Sequence, residues 1–168
     1  MHRTLFAAVA VIGLLSACAS GTDSDSGSTP TAEATVTATP DPDTGVALDL
    51  TAGSTVIGLP TGVDPAANDA TAGALRTEED GLIAVITFGS STCPQVPEPL
   101  ATGADGTVTV AFPEPTDGPC TLDYVPATTV VALPDGGDTG GDLTVTIGDF
   151  GSVTLPAEST GVEWVAAG

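Results

Sequence analysis

Lysine is absent from this 168-residue chain, which has a single histidine, His2, and only two arginines, Arg3 and Arg76. Because the chain has no histidine or lysine after residue 3, the rest of the sequence cannot form Ser-His-Asp, Cys-His or Ser-Lys catalytic arrangements. A carboxylate pair of the kind used by glycosidases stays formally open, but aromatic residues, the usual platforms for sugars, make up only 4% of the chain. We therefore expect a protein that is not an enzyme and needs no cofactor.

Basic residues are also too few to balance the 22 aspartates and glutamates, and the formal net charge is −20 at pH 7. A surface of this sign repels nucleic-acid phosphates and anionic lipid head groups. We predict no nucleic-acid partner. The acidic composition fits an exported protein of a high-GC or salt-adapted organism, or a protein that binds calcium or a cation-rich partner.

The first eighteen residues combine a short cationic start, an apolar run over 4–15 and the sequence Leu15-Ser16-Ala17-Cys18. This pattern is typical of a secretory signal and is too short to span a bilayer comfortably. Leu-Ser-Ala-Cys resembles the lipobox of bacterial lipoproteins. The resemblance implies cleavage before Cys18 and attachment of lipid to its thiol. The alternative is an ordinary secretory signal that happens to contain a cysteine.

This interpretation divides the chain into a lipoprotein signal peptide (1–17), a tether (18–45) and a β domain (46–168). Ser, Thr, Asp, Gly and Pro dominate the tether, which cannot bury enough apolar surface to offset its ordering entropy. We predict a disordered spacer, whose Thr-Pro pairs suit O-glycosylation. The expected location is the extracytoplasmic face of the cell membrane, and the expected membrane contact is the lipid on Cys18.

Beyond position 45, short stretches rich in Val, Ile, Leu and Thr alternate with turn signals about every ten residues. This spacing predicts an all-β fold, a β-sandwich (Ig-like or similar) of about seven short strands with one disulfide, with a small β-barrel as the alternative. The predicted strands cover 46–50, 55–59, 82–88, 107–112, 128–133, 143–147 and 152–155.

Three local patterns refine this fold. Residues 82–86 are apolar on both faces, which predicts the central strand. Asp105-Gly106 predicts a tight hairpin turn. The segment 65–79 is the only plausible helix, although its glycine and its lack of periodicity argue against one.

Three cysteines leave an even pair once Cys18 is assigned to lipid, and in an exported protein this pair predicts a disulfide between Cys93 and Cys120. Closing a loop of about 28 residues would stabilise the fold by roughly 3 to 4 kcal/mol. Metal binding by the pair is not expected, because no histidine survives signal removal and neither cysteine has a neighbouring cysteine.

The segments around this pair, GSSTCP at 89–94 and CTLDYVPATTVVALP at 120–134, resemble small lipoproteins of actinobacteria that have no assigned activity. The resemblance supports export and the fold and adds no chemistry. A disulfide would bring together a set of short polar side chains: Ser90, Ser91, Thr92, Thr121 and Asp123. These residues either cap irregular loops or form a small recognition patch beside Tyr124.

Asp135, Asp138 and Asp142 lie in a glycine-rich segment whose oxygen ligands suit calcium, although the spacing is not that of an EF-hand. A solvated loop explains the segment equally well. The main hypothesis is a lipid-anchored envelope protein, a non-catalytic binding or structural module whose protein or ligand partner is unknown. The alternative is a calcium-dependent or cationic-ligand-binding module.

The anchor is tested by metabolic labelling with a fatty acid. We expect label on the wild-type protein and none on Cys18→Ala, because the thiol of Cys18 is the predicted attachment point. An unlabelled wild-type protein, or equal label on Cys18→Ala, would contradict the assignment.

Overall fold

The computed structural model describes residues 45–66, 70–115 and 118–166, all within the compact unit Ala38–Gly168. The predicted signal peptide, Cys18 and the tether up to residue 44 lie outside the described residues. Over the described ranges the chain forms no helix, and so none long and apolar enough to cross a membrane.

Nine strands are present in these described ranges: β1 (Thr55–Ile57), β2 (Ala72–Arg76), β3 (Leu82–Gly89), β4 (Thr102–Ala104), β5 (Thr107–Val110), β6 (Val125–Ala132), β7 (Leu143–Ile147), β8 (Gly151–Leu155) and β9 (Glu163–Trp164). They form a five-stranded sheet in the order β1-β6-β3-β2-β9 and a four-stranded sheet in the order β4-β5-β7-β8. The predicted all-β sandwich is confirmed, and the barrel alternative is wrong because the strands divide into two separate sheets.

The central position of β3 is also confirmed. All eight of its residues pair antiparallel with β6, from Leu82 opposite Ala132 to Gly89 opposite Val125, and its other edge pairs with β2. β3 therefore contributes backbone hydrogen bonds on both edges while its side chains are buried on both faces of the sheet.

The main core lies between the two sheets. β7 alternates buried and half-buried residues, as its Leu-Thr-Val-Thr-Ile sequence predicts, and points Leu143, Val145 and Ile147 inward. Ile83 and Val85 of β3 face them from the other sheet, in one cluster of buried side chains. Short aliphatic residues thus fill the interior, as expected for a chain with few aromatics.

A second, smaller cluster covers the outer face of the five-stranded sheet. Ala84 and Ile86 of β3 are buried there beneath Leu48, Leu59 and Val63 of the segment that leads into and out of β1. This layer explains why β3 is apolar on both faces. The first segment of the domain serves as a cover for the sheet.

Two expectations for secondary structure are wrong. Residues 46–50 form no strand: Val46 makes an isolated bridge with Pro60, because the segment crosses the sheet face instead of joining its edge. Within 65–79, the proposed helix is replaced by β2, a buried strand. Gly73 of β2 lies against the indole of Trp164, and a Cβ there would approach Cε3 to 2.5 Å.

The predicted turn at Asp105-Gly106 is confirmed at the β4–β5 hairpin, where the two residues adopt positive φ of 54° and 75°.

One strand pair is parallel, unlike the others: β5 and β7 run in the same direction, from Thr107 opposite Thr144 to Val110 opposite Ile147. Strands β4 and β9 were not predicted, since one is exposed throughout and the other has two residues.

Candidate functional site

The predicted disulfide is present between Cys93 and Cys120, whose Cα atoms are 5.6 Å apart. It connects the loop that follows β3 to the loop that precedes β6. Because β3 and β6 are paired neighbours, their adjoining loops meet at one end of the five-stranded sheet. We call the two joined stretches, residues 88–93 and 118–124, the disulfide corner.

Hydroxyl groups fill the space beside the disulfide, as the sequence predicts. Thr121 is the hub: its Oγ1 lies 2.8 Å from Ser90 Oγ and 3.3 Å from both Ser91 Oγ and Thr92 Oγ1. The backbone N–H of Thr121 donates to Thr92 Oγ1 at 3.0 Å, and its hydroxyl donates to Asp123. Hydrogen bonds of these side chains thus fasten residues 121–123 to residues 90–92, between the disulfide and the ends of β3 and β6.

Asp123 completes this network through one of its two carboxylate oxygens. Oδ1 accepts from the backbone N–H of Ser91 at 3.1 Å and from the hydroxyl of Thr121. The side-chain hydroxyl of Ser91, the hydroxyl of Thr121 and the backbone N–H of Ser91, in that order of importance, favour the ionised form and lower the pKa of Asp123 from 3.8 to about 2. Asp123 is exposed, so its carboxylate presents a stable negative charge to solvent.

An aromatic row runs from the corner over the outer face of the five-stranded sheet. Tyr124 stacks on Phe88 with ring centroids 5.4 Å apart and planes 19° apart, and Phe88 contacts Trp164 at 5.9 Å. Tyr124 stays 63% exposed, and Leu122 is fully exposed beside it. Three of the chain's six aromatic residues are therefore concentrated at this end of the sheet.

Sequence reasoning located Tyr124 but missed its two aromatic neighbours. Phe88 ends the predicted central strand and lies opposite Pro126, two positions after Tyr124. That register could have been inferred from the disulfide and the two strands. Trp164 belongs to a strand too short to leave a pattern in the sequence.

The three candidate calcium ligands are not brought together. Asp138 forms an ion pair with Arg76, 2.6 Å between Oδ2 and Nη1, while Asp142 accepts the backbone N–H of Ala157 at 3.3 Å and Asp135 is exposed. Over the described ranges, no group of three His, Cys, Asp or Glu side chains could hold a metal ion.

Arg76, which sequence reasoning did not select, organises this loop. Its guanidinium donates to Asp138, to the carbonyl of Gly141 at 2.7 Å and to the carbonyl of Pro156 at 3.1 Å. Asp138 also accepts the N–H of Gly140 at 2.9 Å. The side chain of Arg76 is only 14% exposed. The sequence offers one indication of this role, because Arg76 is the only Lys or Arg after Arg3.

A groove of about 550 Å³ lies beside Arg76, between the segment 46–63, which covers the sheet, and the end of β2. Apolar side chains, including Leu48, Val63 and Leu75, line much of it. The guanidinium of Arg76 is already bonded to three protein oxygens, so the groove offers no free cation to an anionic ligand. The disulfide corner is therefore the better-defined candidate site.

Comparison with family models, with curated proteins and with solved structures finds no match to this chain.

Replacing Arg76 should destabilise the domain. Arg76→Ala leaves two carbonyls without this donor and a partly buried carboxylate without its ion-pair partner, and we expect the free energy of unfolding to fall by about 1 to 3 kcal/mol. Arg76→Lys should recover only part of this loss, because an ammonium group cannot reproduce the fork of the guanidinium. Urea unfolding measures both, and equal stability of all three proteins would refute the assigned role.

The pH dependence of stability should carry a contribution from Asp138. The N–H of Gly140 and the Arg76 side chain hold the pKa of this carboxyl below its ordinary value of 3.8, against the opposing effect of burial. A depressed folded-state pKa contributes stability above 3.8, and that stability is lost as pH falls through the folded-state value.

From about pH 5 to about pH 2, wild type should therefore lose more stability than Asp138→Asn, by up to about 1 kcal/mol for this partly exposed pair. Unfolding curves across this range provide the test, with Asp149→Asn as the matched loss of one exposed carboxylate. An Asp138→Asn profile parallel to that of wild type would contradict the prediction.

Proposed function

We propose that this chain is a lipid-anchored protein of the extracytoplasmic membrane face that acts as a non-catalytic binding module through its disulfide corner. The lipobox-like sequence ending at Cys18 supports the anchor, and the Ser/Thr/Pro-rich tether supports presentation of the domain away from the membrane. The disulfide fits an exported protein, since such bonds persist in oxidising compartments.

The single observation that carries the proposal is the exposure of Tyr124 and Leu122 on a loop that is held rigidly. A disulfide, the hydroxyl network around Thr121 and the stack on Phe88 all restrain the loop. A surface restrained in this way loses little conformational entropy on binding, and aromatic side chains are enriched among residues that dominate binding energy. Apolar groups left in solvent on a rigid loop indicate an interaction surface.

The chemistry of the corner supports a role without catalysis. The hydroxyls of Ser90 and Thr121 would need a base to act as nucleophiles, and the adjacent carboxylate is Asp123. With a pKa of about 2, that carboxylate is a poor proton acceptor at neutral pH. Its hydrogen bonds instead fix the shape of the loop.

The calcium-dependent alternative receives no specific support from the described residues. Asp138 is engaged by Arg76, so a protein cation already occupies the position that a metal would take beside that carboxylate. The cationic-ligand half of the alternative is compatible with the disulfide corner, where Asp123 presents an exposed carboxylate.

In vivo photo-crosslinking tests the binding surface. Leu122→p-benzoylphenylalanine places a photoreactive group at the corner, and Leu100→p-benzoylphenylalanine places it on another exposed leucine, 56% accessible, beside the opposite end of β6. We expect discrete crosslinked species on intact cells from position 122 and not from position 100. The same signal should weaken when Tyr124→Ala is added to the position 122 variant.

Two results would overturn the proposal. Crosslinking of equal pattern and yield at positions 100 and 122 would show that the corner is not a preferred surface. Absence of crosslinking at position 122, with protein levels and protease accessibility on spheroplasts equal to those of wild type, would show that nothing binds there in the cell.

A further inference from the structure

The disulfide corner combines a fixed negative charge with an open aromatic face. Asp123 Oδ1 accepts from Ser91 and Thr121, which fixes the carboxylate in place, and the residue is exposed to solvent. Tyr124 contacts Phe88 with one face of its ring and is 63% exposed, so the other face is open to solvent. The corner thus offers two groups that attract cations, a carboxylate and the electron-rich face of a ring.

These two groups are held close together by the chain. The ring rests on Phe88 and the carboxylate is bonded to Ser91, three positions further along. The backbone between the two contact points, Phe88 and Ser91, spans at most about 10 Å. That distance is on the scale of one or two long side chains of a bound peptide.

The charge of the rest of the molecule also favours a cationic partner. After Arg3 the sequence holds one cation, Arg76, against 22 carboxylates, and Arg76 is committed to Asp138 and two carbonyls. No mobile cation of the domain competes for Asp123 among the described residues. The field of the whole domain attracts cationic molecules and repels anionic ones.

We propose that the disulfide corner binds a lysine or arginine side chain presented by a cationic polypeptide, with the charged group between the carboxylate of Asp123 and the open face of Tyr124. This inference rests on the proposed function and adds the chemical class of the partner. The stretch 118–124 of the corner is exposed along its whole length, which suits a polypeptide better than a small amine. The fully exposed Leu122 supplies an apolar contact for the rest of such a segment.

Calorimetric titration tests the inference with a tetralysine peptide and the mature lipidated protein in nanodiscs of zwitterionic lipid, at about 0.15 M salt. Empty nanodiscs and a tetraglutamine peptide are the blanks. We expect saturable binding of tetralysine only. Binding of tetraglutamine with equal affinity, or no binding of tetralysine, would overturn the proposal.

Variants separate the site from general acidity. Asp123→Asn keeps an oxygen that can accept from Ser91 and Thr121 but removes the charge, and should weaken binding about two- to fivefold. Asp149→Asn removes a charge of the same kind on the β7–β8 turn and should change affinity by less than about 1.5-fold. Equal weakening by both variants would show attraction to the overall charge, against the proposed site.

Two variants of Tyr124 test the contribution of its aromatic ring to binding. Tyr124→Leu should weaken binding about two- to fivefold, whereas Tyr124→Phe, which keeps the ring face, should bind as wild type does. Thermal unfolding of each variant verifies that the corner is folded. Unchanged affinity in folded Tyr124→Leu, or binding of N-acetyl-lysine amide as tight as that of tetralysine, would refute the polypeptide site.

Failure of this inference can be told from failure of the proposed function. Crosslinks at position 122 without affinity for tetralysine would retain the binding surface and reject only the cationic class of partner. Affinity for tetralysine without crosslinks at position 122 would contradict the proposed cellular function instead.

Discussion

Burial of β3 on both faces is the constraint on which the rest of the domain depends. A strand with Ile83 and Val85 toward one side and Ile86 toward the other needs two apolar layers. The four-stranded sheet supplies one layer, and the segment around β1 supplies the second. With few large side chains available, the fold gains its buried area by stacking three thin layers instead of filling one thick core.

The scarcity of basic residues is a second constraint. The predicted β domain has one basic residue, Arg76, and its side chain has a structural role. Arg76 ends β2 and draws the loop 138–141 and the residue after β8 onto the edge of the sandwich. Elsewhere carboxylates are left at the surface or satisfied by hydroxyl and N–H donors, as Asp123 is. Neutral hydrogen bonds therefore replace the ion pairs that a lysine-containing protein would use around its loops.

The fold was predictable where a local pattern and burial agree, and unpredictable where tertiary contacts decide. Alternation in β7, the apolar run of β3 and the Asp105-Gly106 turn all translate directly into structure. By contrast, β2 is a strand through its pairing with β3 and β9, and its Gly73 leaves room for the indole of Trp164. At the candidate site, cysteine parity predicted the disulfide and its hydroxyl cluster, whereas the aromatic row depends on strand register.

The aromatic row also has an optical consequence. Tyr124 is the only tyrosine and Trp164 the only tryptophan of the chain, and both contact the ring of Phe88. The donor and the acceptor for ultraviolet energy transfer are thus fixed at one end of one sheet, next to the disulfide. Emission from the unlabelled protein is therefore a local signal, and it reports the geometry of this corner far more than that of the distant core.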